Sequence, residues 1–287
     1  MPLPTSPVVR RARLGAELRQ LRRQATLTLE QVCERLGWAS TSKLSRIELG
    51  QSRPDLADVF DLLDVYEVPT GQREALIVIA RDAATNRSWW RALGEMGERQ
   101  RTYAELEAGA ATIFEYQPAT VPGLLQTRAY ARLRVTAGRL LDPEVDVDAD
   151  TRARTARQDV LHRMDAPRYT AVLAEAALGC AGAPGHVWRE QARHLVSLTR
   201  RPNVTIRVLP HGAPVAGSVI HPLTPFSCYA FPDPADPRTV VLETLTTDLR
   251  LTTEPDVRRY EQLANWLLDA ALSGADTVEL LSRHAEE

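Results

Sequence analysis

Lysine is almost missing from this chain. Among 287 residues it occurs once, at Lys43, and every other cationic side chain is Arg. GC-rich coding accounts for such a bias without a functional cause. Cysteine is scarce as well, and Cys33, Cys180 and Cys228 stand far apart. Three scattered thiols make no disulfide framework and lack the spacing of a zinc site, so they read as small buried hydrophobes in a reducing compartment. Long apolar runs are also absent. None reaches the roughly 18 residues of a membrane helix, and the N-terminus has no apolar signal core. The GxSxG, HExxH, CxxC and P-loop patterns are lacking too. His162, His186, His194, His211 and His221 are isolated and near loops, which favours solvated or hydrogen-bonded histidines over catalytic ones. The expectation is a cytoplasmic protein with no membrane segment, no catalytic residues, no metal and no cofactor.

What is present is enough apolar material for a sizeable core, at 44% of residues, and a length suited to about two domains. The net charge of −2 hides an asymmetry. Residues 1 to 54 hold ten Lys or Arg against four Asp or Glu (Glu17, Glu30, Glu34, Glu48), and the remainder is acidic. A basic N-terminal segment on an acidic body points to phosphate as the partner of the first domain.

Leu27 to Pro54 concentrates the signals. Val9, Leu14, Leu18 and Leu21 first mark a helix with Arg10, Arg11, Arg13, Arg19 and Arg22 on its other faces. Thr28 with Gln31 three residues on forms a capping-box pattern. Leu29, Val32, Cys33 and Leu36 then make the apolar stripe of a second helix, and Gly37 stops it. After a turn at Trp38 and Ala39, Ser40 or Thr41 opens a third helix with Leu44, Ile47 and Leu49 as its core face, and Gly50 ends it. Asp55 caps a fourth helix and Thr70 opens a fifth. Two capped helices joined by a Gly turn suit a helix-turn-helix, whose second helix enters the major groove by its N-terminal residues. The expected DNA-binding residues are Ser40, Thr41, Ser42, Lys43 and Arg46 on that helix, with Gln31 and Arg53 as phosphate anchors. Glu48 would be repelled by DNA and is assigned a structural ion pair or hydrogen bond. Trp38 is expected to cover the junction between the helices.

The texture changes after Thr85. A connecting segment over 85–103 carries the pair Trp89-Trp90. A helix is expected over 103–114, an extended loop over 116–127, and a helix over 128–137. An acidic loop over 142–150 and a charged helix over 151–164 follow, the latter with Arg152, Arg154, Arg157 and Arg163 on a solvated face beside Asp148, Asp150 and Asp159, the alternative being a second phosphate contact. β-branched and aromatic runs at 169–174, 204–209, 226–231 and 239–245 read as strands, with 249–252 a short edge strand. Helices are expected over 185–199, from Pro255 to about 272, and after Ser273. The whole is a two-domain chain. An all-α five-helix domain over 1–84 precedes an α+β domain over 104–287 with a small antiparallel or mixed sheet. The loop VPGLLQT at 121–127 is expected to dock on its own domain. The sharper alternative is a groove for a ligand or partner near Glu115, Tyr116, Leu124, Gln126 and Tyr130. Trp89 and Trp90 are expected to pack between the domains, with a lever between sensing and DNA binding as the sharper alternative.

LTLEQVCERLG followed by SKLSRIELG and RP resembles the lambda-repressor-like (Xre-type) helix-turn-helix family over roughly residues 10 to 70, with a turn one residue longer than the commonest pattern. WW at 89–90, VPGLLQT at 121–127, ARQ at 156–158, LAEAAL at 173–178, RPNVTIRVLP at 201–210 and VVLETL at 240–245 resemble, in order, the effector-like domain of actinobacterial regulators known as DUF5753. The two resemblances imply a cytoplasmic transcriptional regulator that binds double-stranded DNA, often with a small protein encoded by a neighbouring gene as partner. The reading is a sequence-specific regulator, dimeric on a two-fold site, whose second domain mediates dimerisation, signal binding or partner binding. The alternative is an antitoxin-like or scaffold module that holds a small protein, with DNA contact secondary. A hydrolase fused to a DNA-binding domain is a third possibility.

Overall fold

The computed structural model describes residues 5–85, 97–179, 183–217, 222–244 and 246–286. It divides into two units. One comprises Met1–Arg87 with Ala108–Ala110 and Phe231–Pro237; the other comprises Ser88–Glu107, Ala111–Ala230 and Arg238–Glu287.

Five helices build the first unit: α1 (Pro7–Gln24), α2 (Leu29–Leu36), α3 (Thr41–Glu48), α4 (Leu56–Val65) and α5 (Thr70–Ala84). Their apolar stripes converge on one core that includes Leu14, Leu18, Val32, Leu44, Leu62, Leu63, Leu76 and Ala80. Thr28 caps α2 in a complete capping box, and Gly37 ends it in the left-handed region at φ 66°. Gly15, in the middle of α1, lets α3 approach. A Cβ there would lie 2.5 Å from the Ile47 carbonyl oxygen and 2.6 Å from that of Glu48. Leu49 is not part of the core face; it is the C-cap residue and is 53% exposed, because the helix has already ended at Glu48. Residues 231–237 are held on α1 by ion pairs. Arg13 Nη1 donates to Asp233 at 2.7 Å and to Asp236 at 3.1 Å, and Arg10 lies 3.3 Å from Asp236.

The second unit is built on a six-stranded mixed sheet of order β3-β2-β1-β4-β5-β6. The strands are β1 (Thr112–Gln117), β2 (Arg168–Ala174), β3 (Val204–Leu209), β4 (Phe226–Ala230), β5 (Thr239–Leu242) and β6 (Leu249–Leu251). β1, β2 and β3 run parallel, and β4, β5 and β6 continue antiparallel from β1. The helices are α6 (Glu98–Gly109), α7 (Arg128–Gly138), α8 (Val147–Arg157), α9 (Gly185–Leu198), α10 (Glu254–Ala270) and α11 (Gly274–Glu286). Tyr116, Val172 and Phe226 on one sheet face pack with Ala264 and Leu267 of α10.

Three local expectations fail. The helix placed over 103–114 starts earlier and stops at Gly109, and Thr112–Gln117 is a strand. TIFEYQ is β-branched and aromatic, a composition that fits a pleated surface better than a helix, and the strand is central in the sheet. The acidic loop over 142–150 ends early, because Asp146 accepts from the Asp148 and Ala149 amides and starts α8 at Val147. The charged helix stops at Arg157 and becomes a 3₁₀ turn over Gln158–His162. Here Gln158 Nε2 donates to the carbonyls of Gly123 and Gln126, a tertiary tie with no local signature.

Candidate nucleic-acid interface

The two helices of the bihelical motif treat their N-termini differently. The first four N–H groups of any helix lack intrahelical acceptors. On α2 they are served locally: Thr28 accepts from the Gln31 amide at 3.2 Å, and Gln31 Oε1 accepts from the Thr28 amide at 2.9 Å. On α3, Ser40 has the extended backbone of an N-cap, yet its side chain makes no cap hydrogen bond. Among the described residues, the start of α3 therefore presents backbone donors that no side chain caps and a Ser40 hydroxyl not spent on them, the arrangement that receives an anion at a helix N-terminus.

The side chains expected to contact DNA divide in three. Ser40, Ser42, Lys43 and Arg46 are exposed on α3 or at its start, and Thr41 is half-buried. Arg46 Nε donates to the Ser42 carbonyl at 3.3 Å, which lays the guanidinium along the helix surface toward its N-terminal end. Lys43 is engaged. Its ammonium lies 2.6 Å from Asp58 on α4 and 4.3 Å from the centre of the Trp38 ring. Gln31 has its carbonyl committed to the capping box, and Arg53 is exposed after the helix stop.

Glu48 occupies the structural place expected of it. Its buried carboxylate takes two hydrogen bonds from Arg22, from Nε at 2.6 Å and from Nη2 at 2.9 Å. Arg22 Nη1 also donates to the Leu27 carbonyl at 2.8 Å, so one guanidinium ties the end of α3 to the α1–α2 connection. The hydrogen bonds to Glu48 raise the Arg22 guanidinium above its ordinary value against the opposing effect of burial. Trp38 packs against the core and under Lys43, which matches its expected cover role. The residues missed in the sequence are Gly15, Arg22 and Asp58. An isolated Gly inside a helical pattern costs about 1 kcal/mol relative to Ala and signals close packing. It was the one visible clue among the three.

The second group of expected site residues is split by strand geometry. Successive side chains on a strand point to opposite faces. Glu115 and Gln117 face a cleft, whereas Tyr116 faces the α10 core. Gln126 also lines the cleft, while Leu124 and Tyr130 are fully packed inside the domain. Tyr116, Leu124 and Tyr130 are thus core residues rather than parts of a groove. The 121–127 loop docks on its own domain. Gln191 Oε1 accepts from the Thr127 amide at 2.7 Å, and Gln191 Nε2 donates to the Leu125 carbonyl at 2.7 Å. Trp89 and Trp90 lie outside the described residues. Nor are the α8 arginines all solvated, because Arg157 is buried in a pair with Glu107.

Among the described residues, no group of three or more His, Cys, Asp or Glu is placed to hold a metal ion, and no helix is long and apolar enough to cross a membrane. Comparison with known protein families gives two matches. Residues 13–76 match a model described as helix-turn-helix domain, and residues 100–283 match the model described as domain of unknown function, DUF5753. No curated protein and no solved structure matches the chain.

Proposed function

The chain belongs to the DUF5753 family and carries a helix-turn-helix domain ahead of it, and from that premise we propose a sequence-specific transcriptional regulator. The observation that carries the proposal is the state of α3. Its inner face is fixed by Leu44, Ile47 and the Glu48–Arg22 pair, and its N-terminal end is left uncapped beneath exposed Ser42, Lys43 and Arg46. Phosphate oxygens would take the backbone amides and the hydroxyl of Ser40 or Thr41. Arg46 and Ser42 would read base edges in the major groove, and Arg53 would hold the flanking strand. Single modules of this size bury too little surface for tight operator binding, which supports a homodimer on two half-sites about one helical turn apart. The second unit receives the signal, a small molecule or a small protein, that decides when the dimer binds. We assign it a binding role and no catalysis, and place the protein in the cytoplasm where its DNA lies.

The test is to incubate sheared genomic DNA with the purified full chain, sequence the retained fragments, and repeat with Arg46→Ala. The expected result is a common motif with two half-sites that wild type enriches. Loss of one base contact should cost Arg46→Ala about 1–3 kcal/mol with unchanged folding. Retention without a shared motif, or equal enrichment by the variant, would overturn the assignment of α3 as the reading helix.

A further inference from the structure

The second unit contains a cleft of about 420 Å³ between one sheet face and helices α6, α7 and α8. That lies within the roughly 300–1,000 Å³ of small-molecule sites. Most such sites are lined by apolar groups; this one is lined by charge, and the charges are sorted. Its floor is rich in hydrogen-bond acceptors. Glu115 and Glu243 stand side by side, each accepting from Gln117 Nε2 at 3.1 Å. Tyr169 also donates to Glu115 at 2.7 Å. Burial, and then repulsion by Glu243, pushes the Glu115 carboxyl up to about 7.

One wall of the cleft carries guanidiniums. Arg157 is closed off by Glu107 and Gln100 and stacks over the Tyr103 ring at 5.1 Å. Arg99 pairs with Asp248 and Arg154 with Asp150. Arg134 also lines the cleft, is exposed, and has no ion-pair partner among the described residues. Burial depresses the Arg154 guanidinium; Asp150 opposes that, and Arg157 and Arg134 add to it. The wall holds more positive charge than its own partners neutralise.

Two buried polar atoms in the lining lack partners among the described residues: the Tyr103 hydroxyl and Gln126 Oε1. Both residues are more than nine-tenths buried, at 8% and 3% exposure. Gln126 spends its Nε2 on the Val121 carbonyl at 2.8 Å, so its oxygen is held in the lining by a fixed amide. A buried polar atom left unpaired forfeits its hydration without a replacement, and native structures keep few of them.

We propose that this cleft is the signal site of the regulator and that it binds a small organic acid carrying amino or hydroxyl groups. The acid's carboxylate meets Arg134 and Arg154. Its N–H or O–H groups donate to Gln126 Oε1 and to the Glu115–Glu243 floor, and Tyr103 supplies a hydroxyl between the two ends. The proposal specifies the signal-binding role assigned above to the second unit. Its test uses no DNA, so its failure leaves the DNA-binding reading standing.

The experiment screens the full-length protein by thermal shift against the twenty proteinogenic amino acids and a set of aliphatic hydroxy acids. Inorganic phosphate and neutral polyols serve as controls, and hits are titrated by calorimetry. The expected result is saturable 1:1 binding of one or more acids. Affinity should fall at least tenfold in Arg134→Gln and several-fold in Tyr103→Phe, with both variants melting as wild type does. Tyr103→Phe removes a hydroxyl that has no partner among the described residues, so an unchanged melting point with weakened binding separates a ligand contact from a structural role. The proposal is overturned by no shift with any acid, by equal binding of phosphate alone, or by binding that both variants retain at full strength.

Discussion

Asp58→Asn is expected to tighten operator binding, and the reason lies in how Lys43 is held. The lysine ammonium sits 2.6 Å from the Asp58 carboxylate in a pair whose lysine side chain is 47% exposed. To touch a phosphate or a guanine, Lys43 must leave Asp58. Exposed pairs of this kind are worth about 0.2–1 kcal/mol, so the aspartate holds back that much of the lysine's contribution. Asparagine is close in shape and lacks the charge, so the variant should bind more tightly by roughly 1.5- to 5-fold at low salt, the factor to which that energy corresponds. If the freed lysine lands on a phosphate, the salt slope should steepen by about one unit. Fluorescence anisotropy with a labelled operator fragment, at several salt concentrations, gives both numbers. Lys43→Ala closes a double-mutant cycle. The gain from Asp58→Asn should largely vanish in the Lys43→Ala background, apart from a small residue due to removing a negative charge near DNA. An equal gain in both backgrounds would refute the argument that the pair restrains the lysine. A loss of affinity in Asp58→Asn alone would show that the pair positions Lys43 for DNA instead of withholding it.

Three further outcomes follow from the packing and the charges. Glu48→Ala leaves the part-buried Arg22 with only its bond to the Leu27 carbonyl among the described residues, and should cost about 1–3 kcal/mol in urea unfolding of the first unit. An apolar replacement of both partners, Glu48→Met with Arg22→Met, should recover much of that loss. Gly15→Ala puts a methyl group 2.5 Å from the Ile47 carbonyl; the expected cost is about 1–3 kcal/mol, with operator affinity falling beyond what the unfolded fraction explains because α3 is displaced. The second unit should lose stability as pH rises from about 4.5 to about 7, the interval in which Glu115 ionises in the unfolded chain but is held protonated in the fold by burial and by Glu243. Its folded carboxyl sits above the ordinary value, so its contribution is full below pH ~4.5 and is lost as pH rises to about 7, by about 3 kcal/mol at most for a shift of that size. Unfolding followed at pH 5.5 and 8.5 should show this slope, and Glu115→Gln should flatten it.

The first unit was legible because its signals are local. Thr28 and Gln31 satisfy each other three residues apart, Gly37 takes the left-handed turn, and Leu44 and Ile47 repeat at helical spacing. Each can be read without knowing what lies across the core. The second unit hid its central strand for a related reason. Thr112–Gln117 follows an Ala- and Glu-rich helical run, and its alternation is blurred because both of its faces are covered. Tyr116 is buried toward α10, and Glu115 is buried toward the cleft. A strand covered on both sides loses the polar–apolar period that announces one. The expected groove residues were split with it: Glu115 and Gln126 line the cleft, whereas Tyr116, Leu124 and Tyr130 are packed inside, because strand alternation sends Glu115 and Tyr116 to opposite faces.

Long-range pairing explains the rest, and it also changes what the lone lysine means. Asp58 is fifteen positions from Lys43, and Arg22 is twenty-six from Glu48. No sequence pattern links either pair. From sequence, Lys43 and Arg46 were equivalent cations on one helix face. In the structure they differ in kind. Lys43 is stacked on Trp38 and restrained by Asp58, whereas among the described residues Arg46 is anchored only to the backbone of its own helix at Ser42. A planar guanidinium with its remaining donors open is the better match to the paired acceptors on a guanine edge. A restrained ammonium is better suited to a contact made only when the phosphate field is strong enough to draw it from its carboxylate. Sequence discrimination should therefore rest mainly on Arg46, and salt sensitivity mainly on Lys43.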